Sequence, residues 1–184
     1  MISCKAPCKV NVSLRVLGKR ADGFHEVDTV MVPLELCDVL EFFPADGLEM
    51  SCDAPGVPLD ESNLVMKAAR LMERELGRPM PWHVRLVKNV PHGAGLGGGS
   101  SDAACVLSAL NELEHGGLSR RRLAELAGEI GSDVGFFIYG MACRCTGRGE
   151  KVEPLPEWRE WRPRIVLLKP SFGVSTPDAY RRWA

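Results

Sequence analysis

The segment Pro91-His-Gly-Ala-Gly-Leu-Gly-Gly-Gly-Ser-Ser101 decides what kind of domain this sequence can form. Five of the seven residues from Gly93 to Gly99 are glycine, so the backbone can turn tightly and bring its N–H groups close to a ligand. Apolar residues with helical spacing follow at Ala103, Val106, Leu107, Leu110 and Leu113. The first turn of a helix has unpaired N–H groups and a partial positive charge, so the segment predicts a phosphate-binding loop.

Two other glycine-rich phosphate motifs fit the segment poorly. A P-loop requires a lysine directly after its second glycine, and Gly99 stands at that position behind Gly98. Gly93, Gly95 and Gly98 match G-x-G-x-x-G, but a dinucleotide fold needs an acidic residue about 20 positions further on, at the end of a strand. The residues from 111 to 119 are expected to form a helix end and a turn. A dinucleotide oxidoreductase is therefore disfavoured.

The composition is that of an ordinary globular domain, with 184 residues and a formal net charge of -1. This balance lacks the surplus of cations that non-specific nucleic-acid binding needs. No stretch reaches the roughly 18 apolar residues of a membrane span, and residues 1–7 lack the apolar run of a secretory signal. Seven dispersed cysteines without CxxC spacing favour reduced thiols and no metal site. We expect a cytoplasmic protein without nucleic-acid or membrane partners, monomeric or weakly homodimeric.

The residues from Cys8 to Val16 alternate between apolar and polar types, which predicts a half-buried strand with Lys9 and Asn11 on one face. Further strands are expected at Phe24–Leu36, Val39–Phe43, Trp82–Leu86, Met141–Cys145 and Arg164–Leu168. Helices are expected at Asn63–Leu76, behind a Ser62 cap, and after a Ser119 cap. This mixed order, with strands first and helices later, indicates an α+β layer fold more than a regular βαβ series.

Four segments together resemble a family of small-molecule kinases that includes galactokinase, homoserine kinase and mevalonate kinase. The segments are Lys9-Val-Asn11, Gly18-Lys-Arg-Ala-Asp-Gly-Phe-His25, Pro91–Ala104 and Ile130-Gly-Ser-Asp-Val134. Their order along the chain is most similar to that of the 4-diphosphocytidyl-2-C-methyl-D-erythritol kinases of the non-mevalonate isoprenoid pathway. The resemblance implies transfer of the γ-phosphoryl group of ATP, with Mg²⁺, to a hydroxyl of a cytidine diphosphate-linked methylerythritol.

The resemblance also implies catalytic roles for two residues. Asp133 matches the aspartate that accepts the hydroxyl proton, and Lys9 matches a lysine that stabilises negative charge on the carboxylate and on the moving phosphoryl group. Asn11 would hydrogen-bond the substrate or orient Lys9. Taken without the resemblance, Asp133 is more typical of a turn or cap residue, and Lys9 is more typical of a solvated strand residue.

The remaining site residues implied by the resemblance divide into two groups. The triphosphate would be held by Pro91, Gly93, Gly95, Leu96, Gly97, Gly98, Gly99, Ser100 and Ser101. Asn63 lies where the family contacts adenine, although it also fits the first turn of a helix. Phe24 and His25 would bind cytosine, and Tyr180 would contact the other face of the base. Thr176 would be a further substrate-binding residue. Phe24 stands where tyrosine is common, and stacking needs only the ring.

The resemblance implies two domains of unequal completeness. Residues 1–155 would form a two-layer N-terminal kinase domain of the ribosomal protein S5 domain 2-like type, which binds ATP. Residues 156–184 would supply the first strand and turn of a ferredoxin-like second domain that is truncated. Because catalysis depends on excluding water and fixing both substrates, the alternative function is that of a nucleotide-binding fragment without turnover.

Overall fold

A computed structural model describes residues 1–161, 163–170, 172 and 179 of the chain. The strands are β1 (Ile2–Lys19), β2 (His25–Pro44), β3 (Glu49–Cys52), β4 (Trp82–Val87), β5 (Cys143–Gly147) and β6 (Lys151–Pro154). The helices are α1 (Leu64–Leu76), α2 (Gly98–Leu113), α3 (Arg120–Ile130) and α4 (Val134–Tyr139), followed by a 3₁₀ turn at Pro156–Trp158. None of the helices in this part of the chain is long and apolar enough to cross a membrane.

The six strands form one mixed sheet centred on β2. Strand β1 pairs antiparallel with β2 over nearly its whole length. The other edge of β2 is shared by β4 and β5, both antiparallel. Strand β3 adds to β4 in parallel, and β6 adds to β5, so the order is β3-β4-β2-β5-β6. The helices pack with this sheet, and the expectation of an α+β layer fold is confirmed.

Helix α2 lies at the centre of the packing, in contact with β1, β2 and the other three helices. The apolar stripe expected from the sequence is its buried face, and Val106, Leu107 and Leu110 are fully buried. Removing such side chains from water is the main favourable contribution to folding. The core therefore fixes the start of α2, and with it the glycine-rich segment that precedes the helix.

Several boundaries differ from the sequence-based expectations. The two strands expected at 24–36 and 39–43 are one strand, β2, because the carboxylate of Asp38 is fully buried in it and accepts the backbone N–H groups of Asn89 and Val90 at 2.6 and 2.7 Å. Helix α1 is capped by Asn63 rather than Ser62. Strands β3 and β6 and helix α4 are short, and the sequence pattern did not predict them.

The prediction of a strand at Arg164–Leu168 is wrong. Residues 163–170 have no regular secondary structure. Val166 is 85% exposed and Leu168 is 91% exposed. A strand is stable when a neighbouring strand takes up its backbone hydrogen bonds, and this segment is not paired with the sheet.

The simple alternation expected for the first strand is broken by β-bulges in β1. Pairing with β2 shifts between Asn11 and Ser13 and again between Val16 and Gly18. Each extra residue moves the following side chains to the opposite face. As a result Lys9 and Asn11 line the same cleft as Leu14 and Val16. A further shift lies between Pro7 and Lys9, and Lys9 is buried, with only 6% of its surface exposed.

Candidate active site

A cleft with a volume of about 1370 Å³ brings together separate parts of the chain. Its walls come from β1, the start of β2, the glycine-rich segment, the turn before α4 and the turn between β5 and β6. Most of the residues selected from the sequence line it: Lys9, Asn11, Phe24, His25, Pro91, Gly93, Gly95, Leu96, Gly97, Ser100 and Asp133. Thr176 and Tyr180 lie outside the described residues.

The glycine-rich segment has a backbone that other residues rarely adopt. Gly93, Gly95 and Gly97 have φ values of 65°, 70° and 71°, in the left-handed region. A Cβ atom on Gly97 would also lie 2.9 Å from the ring of Phe137 and 3.1 Å from Cγ of Lys9. Gly97 is therefore required both by its conformation and by close packing.

The start of α2, next to the cleft, has backbone donors that are unpaired within the helix. Gly97 precedes the first helical residue, so the N–H groups of Gly98, Gly99 and Ser100 have no acceptor within the helix. The N–H of Ser101 donates to the carbonyl of Gly97 at 2.9 Å and closes the first turn. These donors and the helix dipole form a site suited to an anion such as a phosphate.

Gly98, Gly99 and Ser101 were expected to bind the triphosphate, but they do not line the cleft. Gly98 and Gly99 belong to the helix behind it, where a Cβ at Gly98 would lie 3.1 Å from Val90. Ser101 is 1% exposed, and its side chain lines a separate cavity of about 190 Å³ beside Cys4 and Cys105. The Ser101 side chain therefore lies away from the cleft.

Lys9 is tied both to the glycine-rich segment and to an acidic partner. Its backbone N–H donates to the carbonyl of Leu96 at 2.9 Å. Its ammonium donates to Asn11 Oδ1 at 2.8 Å and lies 3.5 Å from Asp133 Oδ2. The contact with Asn11 is a hydrogen bond, and the contact with Asp133 is an ion pair. Lys9 also lines the cleft.

A chain of hydrogen bonds fixes the Asn11 side chain. Its amide nitrogen donates to Thr29 Oγ1 at 2.7 Å, and the Thr29 hydroxyl donates to the carbonyl of Ser13 at 2.6 Å. Thr29 is 3% exposed, so this chain is anchored in the sheet. Asn11 therefore orients the ammonium of Lys9, which is one of the two roles expected for it.

Asp133 occupies the residue before α4 without capping that helix. Its backbone is in the right-handed helical region, and its carboxylate makes no hydrogen bond to the helix N-terminus. The side chain is 37% exposed and faces the cleft beside Gly149. A carboxylate paired with a buried ammonium, beside a set of backbone donors, can accept a proton from a group held in the cleft.

Comparisons with known proteins agree with this geometry. The model of the GHMP kinases N terminal domain matches residues 63–141. A 4-diphosphocytidyl-2-C-methyl-D-erythritol kinase of Geobacillus sp. (strain WCH70) is 44% identical over 183 residues, which are 96% of this chain and 61% of that protein. The enzyme of the same name from Brevibacillus brevis is 45% identical over 185 residues, 97% of this chain and 61% of that protein.

A solved structure supports the same relationship. The crystal structure of a 4-(cytidine 5'-diphospho)-2C-methyl-D-erythritol kinase superposes with a TM-score of 0.79 at 37% identity, over 98% of this chain and 63% of that one. The chain is thus similar to GHMP kinases in sequence and in fold. It spans about three-fifths of the length of the curated relatives it matches.

Phe24 and His25 line the cleft where β2 begins, far from the glycine-rich segment in sequence. Phe24 is 50% exposed, and the guanidinium carbon of Arg148 lies 4.8 Å from the centre of its ring. Sequence reasoning missed Arg148, although a basic residue between Gly147 and Gly149, both with positive φ, is a recognisable pattern for a side chain displayed on a tight turn.

Asn63 has a structural role in the GHMP kinase fold described here. Its Oδ1 accepts the N–H of Val65 at 2.9 Å, and its amide nitrogen donates to the carbonyl of Pro58 at 2.7 Å. The side chain does not line the cleft. The geometry favours the helix-cap interpretation, and the adenine contact stays a prediction.

We expect Asn63→Ala to lower the free energy of unfolding by about 1 kcal/mol, the usual effect of removing an N-cap. Urea denaturation measures this change, and Ser62→Ala, at the cap expected from the sequence, should shift it by less than about 0.5 kcal/mol. The dissociation constant for nucleotide should stay unchanged in both variants. Weaker nucleotide binding by Asn63→Ala at unchanged stability would support the adenine contact instead.

Proposed function

We propose that this chain binds ATP and acts as the catalytic part of a small-molecule kinase whose acceptor is 4-diphosphocytidyl-2-C-methyl-D-erythritol. One observation carries the proposal: the Lys9–Asp133 pair, 3.5 Å apart, lies in the same cleft as the glycine-rich segment and is tied to it through the Lys9–Leu96 hydrogen bond. Phosphoryl transfer needs this combination of an anion cradle, a cation and a proton acceptor.

The roles proposed for the residues follow from their positions. The backbone donors at the start of α2 hold the phosphates of ATP, with Pro91, Gly93, Gly95 and Leu96 shaping the loop around them. Asp133 accepts the proton of the acceptor hydroxyl as that oxygen attacks the γ-phosphorus and the bond to the leaving ADP breaks. The ammonium of Lys9 stabilises the charge on the transferred group.

The described residues contain no group of three or more His, Cys, Asp or Glu side chains arranged to hold a metal ion. We propose that Mg²⁺ would accompany ATP into the cleft, where it would partly neutralise the charge of the phosphates. The chain itself would contribute the backbone N–H groups at the start of α2 to phosphate binding.

The acceptor is proposed from the aromatic end of the cleft and from the names of the relatives. The exposed ring of Phe24 offers a stacking surface for a base, and His25 beside it offers a hydrogen-bonding ring. The relatives at 44–45% identity are named for a cytidine-linked substrate. Thr176 and Tyr180 are proposed to complete this end.

A domain boundary near residue 155 is also proposed. Strand β6 ends at Pro154, the 3₁₀ turn follows, and the rings of Trp158 and Trp161 pack at 5.3 Å. Residues 1–155 then form the ATP-binding domain, and 156–184 begin the next one.

The second candidate function is nucleotide binding without turnover. The segment 163–170 lines the cleft through Leu167 and Leu168 but joins no sheet, and its side chains are exposed. A cleft with such a wall excludes water poorly, and phosphoryl transfer to an alcohol competes with water.

The deciding experiment measures two quantities on the purified 184-residue chain: nucleotide affinity by calorimetry, and ADP release with Mg-ATP and the proposed acceptor. Mevalonate and homoserine, offered at the same concentration, are the control acceptors. Turnover with the cytidine-linked acceptor alone supports the kinase. Nucleotide binding without ADP release supports the second function, and absence of both refutes the proposal.

We expect His25→Ala to raise KM for the cytidine-linked acceptor at least about tenfold, since a lost hydrogen bond to a buried polar edge costs on the order of 1–3 kcal/mol. KM for ATP should change less than about twofold because the glycine-rich segment is untouched. Steady-state kinetics with each substrate varied in turn measures both, with the exposed His115→Ala as control. An equal rise in both KM values would contradict base recognition by His25.

A further inference from the structure

A buried cluster of three charged side chains lies behind the start of α2. The ammonium of Lys88, which follows β4, contacts Asp38 on β2 and donates to Asp102 Oδ2 on α2 at 3.0 Å. The Lys88 side chain is 11% exposed, Asp102 is 2% exposed and Asp38 is fully buried. The family resemblance assigned no role to any of the three.

The cluster packs against the first residue of α2. A Cβ on Gly98, the first residue of α2, would lie 3.3 Å from Lys88 Nζ. Asp38 holds the chain just before Pro91, through the N–H groups of Asn89 and Val90. The three side chains therefore clamp both ends of the glycine-rich segment, one at Asn89–Val90 and the other at Asp102.

The charges of the cluster do not balance when both carboxylates are ionised, because one ammonium faces two carboxylates. Oδ1 of Asp102 is also buried without a hydrogen-bond partner. Burial, together with the negative charge of Asp38, raises the pKa of Asp102 to about 7, against the opposing effect of Lys88. Asp102 is thus the member of the cluster whose charge changes near neutral pH.

We propose that Asp102 is a positioning residue for the phosphate loop and that its protonation strengthens nucleotide binding, an inference that rests on the proposed ATP site. The neutral form gives the cluster no net charge. The ionised form adds a negative charge behind Gly98, where it opposes a polyanion at the helix N-terminus. Binding of nucleotide phosphate is then coupled to uptake of a proton by Asp102.

The surroundings of Asp102 leave few other groups to produce this effect. Lys88 faces it from the segment after β4, Asp38 from β2, Cys52 from β3 and Cys105 from its own helix. Burial raises the pKa of the Cys52 thiol, and the hydrogen bond with Cys4 together with burial raises the pKa of the Cys105 thiol, so both stay neutral near pH 7. The same hydrogen bond lowers the pKa of the Cys4 thiol on β1 to about 7. Cys4 and, in the glycine-rich segment, His92 are therefore separate titratable groups, and Cys4→Ser and His92→Gln are their controls.

The proposal is tested by calorimetric titration of the 184-residue chain with Mg-ADP between pH 6 and 8, in buffers of different ionisation enthalpy. We expect the wild type to take up part of a proton on binding and its affinity to fall about tenfold over this range, the change that one pKa unit of coupling produces. In Asp102→Asn, which resembles the neutral form, the proton uptake should disappear and the affinity should stay at its low-pH value.

Three controls make each outcome decisive. Asp46→Asn removes an exposed charge outside the cleft and should behave as wild type. His92→Gln and Cys4→Ser should keep the proton uptake, and these variants carry the test if Asp102→Asn does not fold. Proton uptake that survives in Asp102→Asn, or vanishes in His92→Gln or Cys4→Ser, overturns the inference while leaving nucleotide binding intact. Absence of Mg-ADP binding at every pH refutes the proposed function and the inference with it.

A stability measurement separates the titration of Asp102 from its coupling to nucleotide. The pKa of Asp102 is higher in the native state than in the unfolded chain, so its contribution to stability is fully present below pH about 4 and is lost as the pH rises to about 7. The stability of wild type relative to Asp102→Asn should therefore decrease between these values without any ligand. A constant difference would mean that Asp102 does not titrate in this range, and would overturn the proposal.

Discussion

Asp133→Asn is expected to lower kcat for phosphoryl transfer by roughly 10²- to 10⁴-fold, the range found when a general base is removed. Asparagine has nearly the same shape but cannot accept the proton of the acceptor hydroxyl. The carboxylate makes no helix-capping hydrogen bond and is 37% exposed, so the fold loses little. Nucleotide affinity should stay within about threefold of wild type, because the phosphate-binding donors belong to α2.

ADP release and calorimetric nucleotide binding, measured on the same preparation, check this prediction. Asp46→Asn is the matched control, since it makes the same chemical change at an exposed position away from the cleft. If Asp133→Asn retained kcat within a factor of ten, the assignment of Asp133 as the base would be refuted. A large loss of nucleotide affinity would instead make Asp133 a residue that shapes the phosphate site.

Gly97→Ala is expected to produce the largest loss of nucleotide binding among single-methyl changes in the loop. The new Cβ would lie 2.9 Å from the Phe137 ring and 3.1 Å from Lys9, at a φ of 71°. A non-glycine residue in this conformation costs on the order of 1–3 kcal/mol, and overpacking costs about as much again. Because Phe137 is in the core and Lys9 is buried, we expect the loop to move and to misplace the Lys9 ammonium.

The matched control for this prediction is Gly93→Ala. Its φ of 65° imposes a similar backbone cost, but a Cβ there would meet nothing within 4 Å. Chemical denaturation and Mg-ADP titration of both variants separate conformation from contact. We expect Gly97→Ala to lose at least about 2 kcal/mol more stability than Gly93→Ala, with nucleotide affinity lowered more than tenfold. Equal effects would show that contact with Phe137 and Lys9 is unimportant.

Much of the local structure was predictable from the sequence. The Ser119 cap is observed, with its side chain accepting the N–H of Arg122, and the helical stripe after Ser101 is buried as expected. Predictions failed where a single tertiary contact overrides local preference. Asp38 stays inside β2 because its carboxylate has backbone partners about fifty residues away. Lys9, by contrast, lies beside Asp133 as the resemblance implied, and it is not the solvated lysine that the strand pattern alone allowed.

The sequence by itself predicted a loop suited to phosphate, since a glycine-rich run permits positive φ angles and a helix start supplies backbone donors regardless of the rest of the fold. It also carried the family resemblance, whose segments lie in order along the chain. Only the tertiary structure decided that Lys9 and Asp133, 124 residues apart, form one pair. The same is true of the Asp38–Lys88–Asp102 cluster behind the loop. Sequence spacing does not report bulges, strand register or burial, and these three features bring the charges together.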